Sequence, residues 1–144
     1  RASSASAKQC QWWDKQMNYW LLASGIFAAF MFVGHSTMGR REFFLPMLDA
    51  SFDPIAKRAM TFVWHMATVA LLLPAAVLIY AGYVGSDATL QPVVLFIGVT
   101  FVLWGAVHLY LGLTSGIPDA MKKMFQWAFF MAVGGFALAG VYAG

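Results

Sequence analysis

The sequence predicts an all-α membrane protein, a bundle of four transmembrane helices joined by short loops. Hydrophobic residues make up 61% of the 144 residues and charged residues only 10%, whereas a soluble domain carries about 25% charged residues. A chain this apolar has too few polar groups to cover a water-exposed surface, so lipid is its expected solvent. Four stretches contain no Asp, Glu, Lys or Arg, and each reaches the roughly 20 residues that span the hydrocarbon core. These stretches are 16–39, 59–86, 88–118 and 124–144.

The chain divides into an N-terminal extension, 1–17, and the four-helix transmembrane domain, 18–144. The first eight residues are rich in Ser and Ala, carry Arg1 and Lys8, and contain no acid. This composition is typical of the remnant of an organelle transit sequence, and it favours a plastid over a mitochondrion. A bacterial or cytosolic tail of the same composition is the alternative. An aromatic belt where the chain enters the first span predicts an interfacial segment; it consists of Trp12, Trp13, Tyr19 and Trp20.

Local signals place the ends of the helices. Asp53 is an N-cap residue followed by Pro54, and proline suits the first helical position. Pro118 is the predicted first residue of the fourth span, and Asp119 is an acid in its first turn, where the helix dipole favours it. Pro74 predicts a kink inside the second helix. The predicted helices are Asn18–Met38, Pro54–Tyr83, Thr89–Gly112 and Pro118–Tyr142.

The basic residues predict the orientation in the membrane. Loop 39–58 contains four basic residues, loop 113–123 contains two, and loop 84–88 contains none. By the positive-inside rule, the first two loops share the side that faces the stroma, the matrix or the cytosol. Both termini are then expected on the opposite side. The apolar loop segment Gly39–Leu48 is expected to fold back onto the membrane surface.

Small residues predict where the helices meet, because they let backbones approach closely in lipid. One stripe lies on the third helix and one on the fourth. We expect both to form seams within the bundle, with a docking face for a neighbouring subunit as the alternative. The stripes are Gly98, Gly105 and Gly112, and Ala128, Ala132, Gly135 and Ala139.

Three histidines lie at one predicted depth. His35 precedes Arg40 by five residues, about 7 Å at helical rise. His65 follows Arg58 by seven residues, about 10 Å. His108 lies about 6 Å before the expected end of the third helix. Three helices therefore bring one imidazole each to the same level near the basic loops.

An imidazole inside a bilayer needs a partner, because an unpaired polar group in hydrocarbon costs several kcal/mol. His35, His65 and His108 are therefore candidate axial ligands to the magnesium of chlorophyll or, alternatively, to the iron of haem b. They are also candidates for quinone binding or proton relay. The alternative for each histidine is a hydrogen bond to a neighbouring carbonyl. Trp64 and Trp104 are candidates for the wall of a ring pocket, in which carotenoid or lipid contacts are further expectations.

Other function classes lack support in the sequence. The basic residues form no face with interleaved aromatic residues, so the sequence gives no support for nucleic-acid binding. The uncharged spans disfavour a carboxylate-based proton pump or channel. No hydrolase, phosphate-loop or haem-attachment motif is present, and the single Cys10 excludes an internal disulfide. The sequence therefore predicts a non-catalytic protein.

One motif resembles a known group of proteins. The string Gly34-His-Ser-Thr-Met-Gly-Arg-Arg-Glu-Phe-Phe-Leu-Pro-Met-Leu48, followed by Trp64-His65, resembles small four-helix bacterial integral membrane proteins of uncharacterised function. The resemblance covers the first half of the chain, and the second half only in its hydrophobic pattern. It implies a four-helix bundle in which His35 and His65 belong together, and it implies no activity.

These features favour an accessory subunit of a large organellar energy-converting complex, bridging neighbouring subunits in the lipid bilayer. A photosynthetic supercomplex in the chloroplast thylakoid is preferred, with chlorophyll as the expected pigment. One alternative is a subunit of a respiratory complex in the mitochondrial inner membrane. Another is a haem or quinone redox protein that uses His35 and His65. A carrier for a hydrophobic solute has no positive support.

Overall fold

The computed structural model describes residues 17–85 and 88–143, and within these ranges it contains helices and no strand. The predicted extension 1–17 lies almost entirely outside the described residues. Among the described residues, four helices are long and apolar enough to cross a membrane, which confirms the predicted fold class. The helical segments are α1 (Tyr19–Gly34), the π-helix π1 (His35–Phe44), α2 (Leu45–Asp49), α3 (Pro54–Val84), α4 (Gln91–Thr114), α5 (Ala120–Lys123) and α6 (Gln126–Ala143).

The first membrane helix is longer than predicted. The segment Gly39–Leu48 does not fold back, because α1, π1 and α2 follow one another without a break and form one span from Tyr19 to Asp49. Pro46 lies at the start of α2, directly after π1, and its missing N–H removes one hydrogen bond from the continuous helix. The chain leaves the helix only at Ala50, whose backbone is extended.

The predicted starts of the second and fourth helices have opposite outcomes. Asp53 caps α3 as expected, since its Oδ1 accepts hydrogen bonds from the backbone N–H groups of Ile55 and Ala56 at 2.9 and 3.0 Å. The predicted start of the fourth helix at Pro118 is wrong. Asp119 adopts a left-handed φ of 57° and makes no side-chain cap. It opens only the four-residue α5, and the long helix begins at Gln126.

The four long helices pack in the order α3–α1–α6–α4, with very little contact between α3 and α4. Helix α1 is therefore one of the two inner helices, beside α6. Its fully buried Ser24 donates a hydrogen bond from Oγ to the carbonyl of Val133 on α6, at 2.7 Å. In lipid, interhelical hydrogen bonds of this kind help to hold helices together.

Close packing at glycines confirms one predicted stripe and corrects the other. On α4, Gly98 and Gly105 are buried against α6, where they contact Leu138 and Met131. On α6 the stripe through Gly135 is wrong as a seam: a Cβ at that position would meet no atom within 4 Å. The buried residues of α6 occupy the opposite face, and they are Val133, Gly134, Ala137 and Gly140.

The two ends of the bundle differ. At one end, which we call the closed end, Asn18 joins three helices. Its backbone N–H donates to the carbonyl of Gly82 on α3 at 2.9 Å, and its Nδ2 donates to the carbonyl of Gly140 on α6 at 2.8 Å. The other end, the open end, carries the basic segments before α3 and before α6. Because the helices alternate in direction, these two basic segments share one end, as the topology prediction requires.

Candidate functional site

The open end contains a cavity of about 530 Å³, within the range of about 300–1,000 Å³ that is typical of ligand pockets. Its walls come from the end of α1 and π1, from α3, from α4, and from the start of α6 with the residues before it. The lining residues are Phe30, Met31, Gly34, His35, Met38, Gly39, Phe43, Trp64, Leu71, His108, Met124, Phe125, Gln126, Phe129 and Phe130. Most of these side chains are apolar.

The cavity is open at its sides. Phe30, Phe43 and Phe125 line it and are also 67%, 51% and 41% exposed on the surface of the bundle. In a membrane protein these rings face lipid or a neighbouring helix. A hydrophobic ligand therefore has access to the cavity from the bilayer.

The π-helix shapes one wall. Wide i→i+5 turns are rare and are found frequently at functional sites. Four residues of π1 line the cavity: His35, Met38, Gly39 and Phe43. At Gly39 a Cβ would lie 3.2 Å from the Trp64 ring. A glycine at this position therefore leaves room for the tryptophan.

His35 is held by an aromatic stack and by a hydrogen-bond chain. Its ring stacks on Trp64 with the centroids 3.9 Å apart and 21° between the planes, and the ring of Phe44 also stacks on that tryptophan, with the centroids 5.0 Å apart. The hydroxyl of Thr68 donates to the carbonyl of Trp64 at 3.0 Å. Its oxygen therefore accepts the 3.1 Å hydrogen bond from His35 Nε2. This places the proton of the neutral imidazole on Nε2, so that nitrogen is not free to bind a metal.

His108 has a different environment in the same cavity. Its ring lies 5.8 Å from the ring of Phe130, and it makes no hydrogen bond to any residue in the described part of the chain. It is the second imidazole that lines the cavity, and α4 supplies it. Of the two, His108 is the one with neither ring nitrogen in a hydrogen bond to the described part of the chain, whereas His35 uses Nε2 for Thr68 and keeps only Nδ1 for a ligand.

His65 and Trp104 do not line the cavity. His65 is exposed on α3 and meets Phe44 edge-on at 5.9 Å. Trp104 supports the wall from behind, because it contacts Phe130 at 5.9 Å in a T-shaped arrangement. Across residues 17–85 and 88–143, no three His, Cys, Asp or Glu side chains come close enough to hold a metal ion together.

Two residues of the site, Thr68 and Gln126, were not predicted from the sequence. Thr68 lies four residues after Trp64 on α3, a spacing that places both on one helix face, but nothing in the sequence links it to His35. Gln126 lines the cavity, and its Oε1 is buried with no hydrogen-bond partner among the described residues. The sequence signal for Gln126 is a polar amide at the start of an apolar helix, where such a group needs a hydrogen-bond partner.

No protein-family model, curated protein or solved structure matches this chain. The resemblance to small bacterial four-helix proteins therefore stays a prediction, and a function has to be inferred from the cavity itself.

Proposed function

We propose that the chain binds a flat, ring-bearing hydrophobic cofactor in the open-end cavity, as a non-catalytic accessory subunit of an energy-converting membrane complex. Chlorophyll is the first candidate for the cofactor. The observation that supports this proposal is the His108 imidazole, which faces an apolar cavity without a hydrogen-bond partner in the described part of the chain. One axial nitrogen is sufficient for the magnesium of a chlorophyll.

The cavity walls, like the free His108 nitrogen, suit a ring-shaped ligand. Trp64, Phe129 and Phe130 offer flat apolar surfaces, and aromatic rings favour offset or edge contacts with other rings. The lateral opening beside Phe30 suits a ligand that arrives from lipid or extends into it. Gln126 adds a polar amide that suits an oxygen- or nitrogen-bearing substituent on the ring.

A six-coordinate haem between His35 and His65 receives less support from this geometry. His35 uses Nε2 for Thr68, and His65 lies outside the cavity lining. Both side chains would have to change position before they faced one iron. A quinone held by His108 and Gln126 remains the alternative within the redox class, because both groups offer polar contacts to a carbonyl oxygen.

The proposed role as a subunit is supported by the outer face of α6. The exposed stripe on α6, with Gly135 at its centre, is an outward surface of small residues that suits a neighbouring helix. The proposed location is the chloroplast thylakoid, with the mitochondrial inner membrane as the alternative. The stromal or matrix side is proposed for the open end.

An absorption spectrum of the chain purified from its native membrane in mild detergent tests the proposal. We expect chlorophyll bands that remain through size-exclusion chromatography, and we expect their loss in His108→Leu. Haem would give a Soret band without the red chlorophyll band. A colourless wild-type preparation, or pigment that is retained unchanged in His108→Leu, would contradict the proposal.

Two glycine substitutions provide a matched pair that does not alter the histidines. Gly34 lines the cavity and Gly135 lies on the outer face of α6, and a Cβ at either position would meet no atom within 4 Å. Gly34→Leu fills the cavity and should displace the cofactor. Gly135→Leu adds the same volume elsewhere and should leave the spectrum unchanged.

A further inference from the structure

Two pairs of basic residues flank the cavity. Arg40 and Arg41 directly follow the lining residue Gly39, and Lys122 and Lys123 directly precede the lining residue Met124. Since consecutive Cα atoms are about 3.8 Å apart, each pair begins within one residue of the cavity wall. The two pairs come from different segments, π1 and α5, and both lie at the open end.

These four cations have no partner within the chain that the structure describes. All four are exposed, and none forms an ion pair or a side-chain hydrogen bond there. The acids of the same segments, Glu42 and Asp119, are likewise unpaired. Four cations against two acids leave a positive excess beside the cavity. Lys57 differs, because its Nζ donates to the carbonyl of Leu48 at 2.7 Å.

We infer that the ligand of the cavity carries an acidic group, and that the ligand is therefore an anionic amphiphile. This inference rests on the proposed function, in which the cavity holds a hydrophobic ligand. Its apolar ring or chain lies against the aromatic walls, and its carboxylate or phosphate contacts Arg40 or Arg41 on one side and Lys122 or Lys123 on the other. Basic groups beside a cavity between membrane helices favour such headgroups. A tetrapyrrole with a free carboxylate, such as a chlorophyll-like ring whose ester has not been formed, and an anionic phospholipid share this chemistry. Fully esterified chlorophyll does not, so the inference narrows the ring ligand of the proposed function to an acidic one.

Zinc protoporphyrin IX and its dimethyl ester are suitable probes for the acidic group. They have the same ring and the same metal, which takes one axial nitrogen, and they differ only in two carboxylates. We would titrate each into the full chain in neutral detergent and follow porphyrin fluorescence. A basic residue near a membrane surface contributes about 1 kcal/mol, so we expect the free acid to bind at least about fivefold more tightly than the diester.

Charge-matched variants connect this preference to the cavity. Arg40→Gln and Lys123→Gln remove one charge beside the wall, whereas Arg58→Gln removes one charge from the exposed start of α3. Each of the first two should weaken binding of the free acid several-fold and leave binding of the diester unchanged. Arg58→Gln should alter neither. Native mass spectrometry with phosphatidylglycerol and phosphatidylcholine then tests the lipid source, for which selective retention of phosphatidylglycerol is expected.

The outcomes separate the two proposals. Equal binding of the free acid and the diester, unaffected by Arg40→Gln and Lys123→Gln, would overturn the acidic group and leave the ring site standing. Retention of phosphatidylglycerol without binding of either porphyrin would support the anionic amphiphile and reject a ring cofactor. Binding of none of the four probes would overturn both proposals.

Discussion

The closed end and the open end of this bundle are made by the same four helices, and they are packed in different ways. At the closed end, helix backbones approach each other at glycines and are joined by Asn18. At the open end, aromatic side chains keep the helices apart and surround a cavity. Apolar content does not distinguish the ends. The size of the side chains at the helix contacts does.

The distribution of buried residues follows this difference. On α1 the buried residues end at Ala28, on α3 they begin at Leu71, and on α6 they begin at Val133. The open-end halves of these helices contain no buried residue within the described part of the chain. On α4 only two glycines, Gly105 and Gly112, are buried in that half. Stability should therefore depend mainly on the closed half, which leaves the open half available for a ligand. The predictions below test this division, beginning with the largest expected effect.

The first prediction concerns two adjacent glycines on α6. A Cβ at Gly134 would lie 2.7 Å from the carbonyl oxygen of Gly98 and 2.9 Å from the backbone nitrogen of Val102, both on α4. Since backbone cannot move aside as a flexible side chain can, Gly134→Ala should lower the free energy of unfolding by about 3 kcal/mol. Unfolding in mixed micelles with increasing SDS measures the loss.

The control for this prediction is the neighbouring residue. Gly135→Ala adds the same methyl group where it meets no atom within 4 Å, and alanine is a better helix former than glycine by about 1 kcal/mol. It should therefore leave the protein as stable as the wild type or more so. Equal losses for Gly134→Ala and Gly135→Ala would mean that α4 and α6 are not in close contact.

The second prediction concerns the hydrogen bonds of Asn18. Asn18→Ala removes the donor to the carbonyl of Gly140 and the Oδ1 acceptor of the N–H of Leu21, both in buried surroundings. Loss of a cap and of a buried partner should cost about 2 kcal/mol. Thr37→Val removes an exposed bond from Oγ1 to the carbonyl of Val33 near the open end, and it should cost less than about 0.5 kcal/mol. Thermal unfolding in detergent compares them, and a similar loss in both variants would argue against a dominant closed end.

The sequence was informative where one physical rule determined the structure. Uncharged stretches of span length predicted the four helices, and Asp53 predicted the start of α3. The predicted start of the fourth helix at Pro118 was wrong, because Asp119 is held in a left-handed conformation and the long helix starts at Gln126 instead. The expected fold-back of Gly39–Leu48 was also wrong, because the helix continues there through i→i+5 turns, which no sequence pattern predicts.

The candidate site was predictable only in part. Depth along the helices placed His35 and His108 at one end of the bundle, and both line the cavity. Depth gives no information on which face a side chain occupies, and His65 therefore lies outside although its level is similar. The order α3–α1–α6–α4 determines which faces meet, and that order depends on backbone contacts between helices distant in sequence.

The third prediction concerns Thr68, whose hydrogen bond to His35 lies at the open end. Thr68→Val keeps the shape of the side chain and removes the acceptor of His35 Nε2. The carbonyl of Trp64, 3.4 Å from the same nitrogen, can replace it. An interhelical hydrogen bond in a membrane contributes about 0.6 kcal/mol on average, so we expect a loss of stability no larger than this in the SDS assay.

The same variant separates the roles of the two imidazoles in the cavity wall. If His108 supplies the axial nitrogen, Thr68→Val should retain the cofactor spectrum, because His35 contributes only its stacked ring. Loss of the spectrum in Thr68→Val to the extent seen in His108→Leu would mean that the hydrogen-bonded position of His35 is required for binding. The open end would then depend on hydrogen-bond geometry as strictly as the closed end does at Asn18, and the contrast between the two ends would not hold.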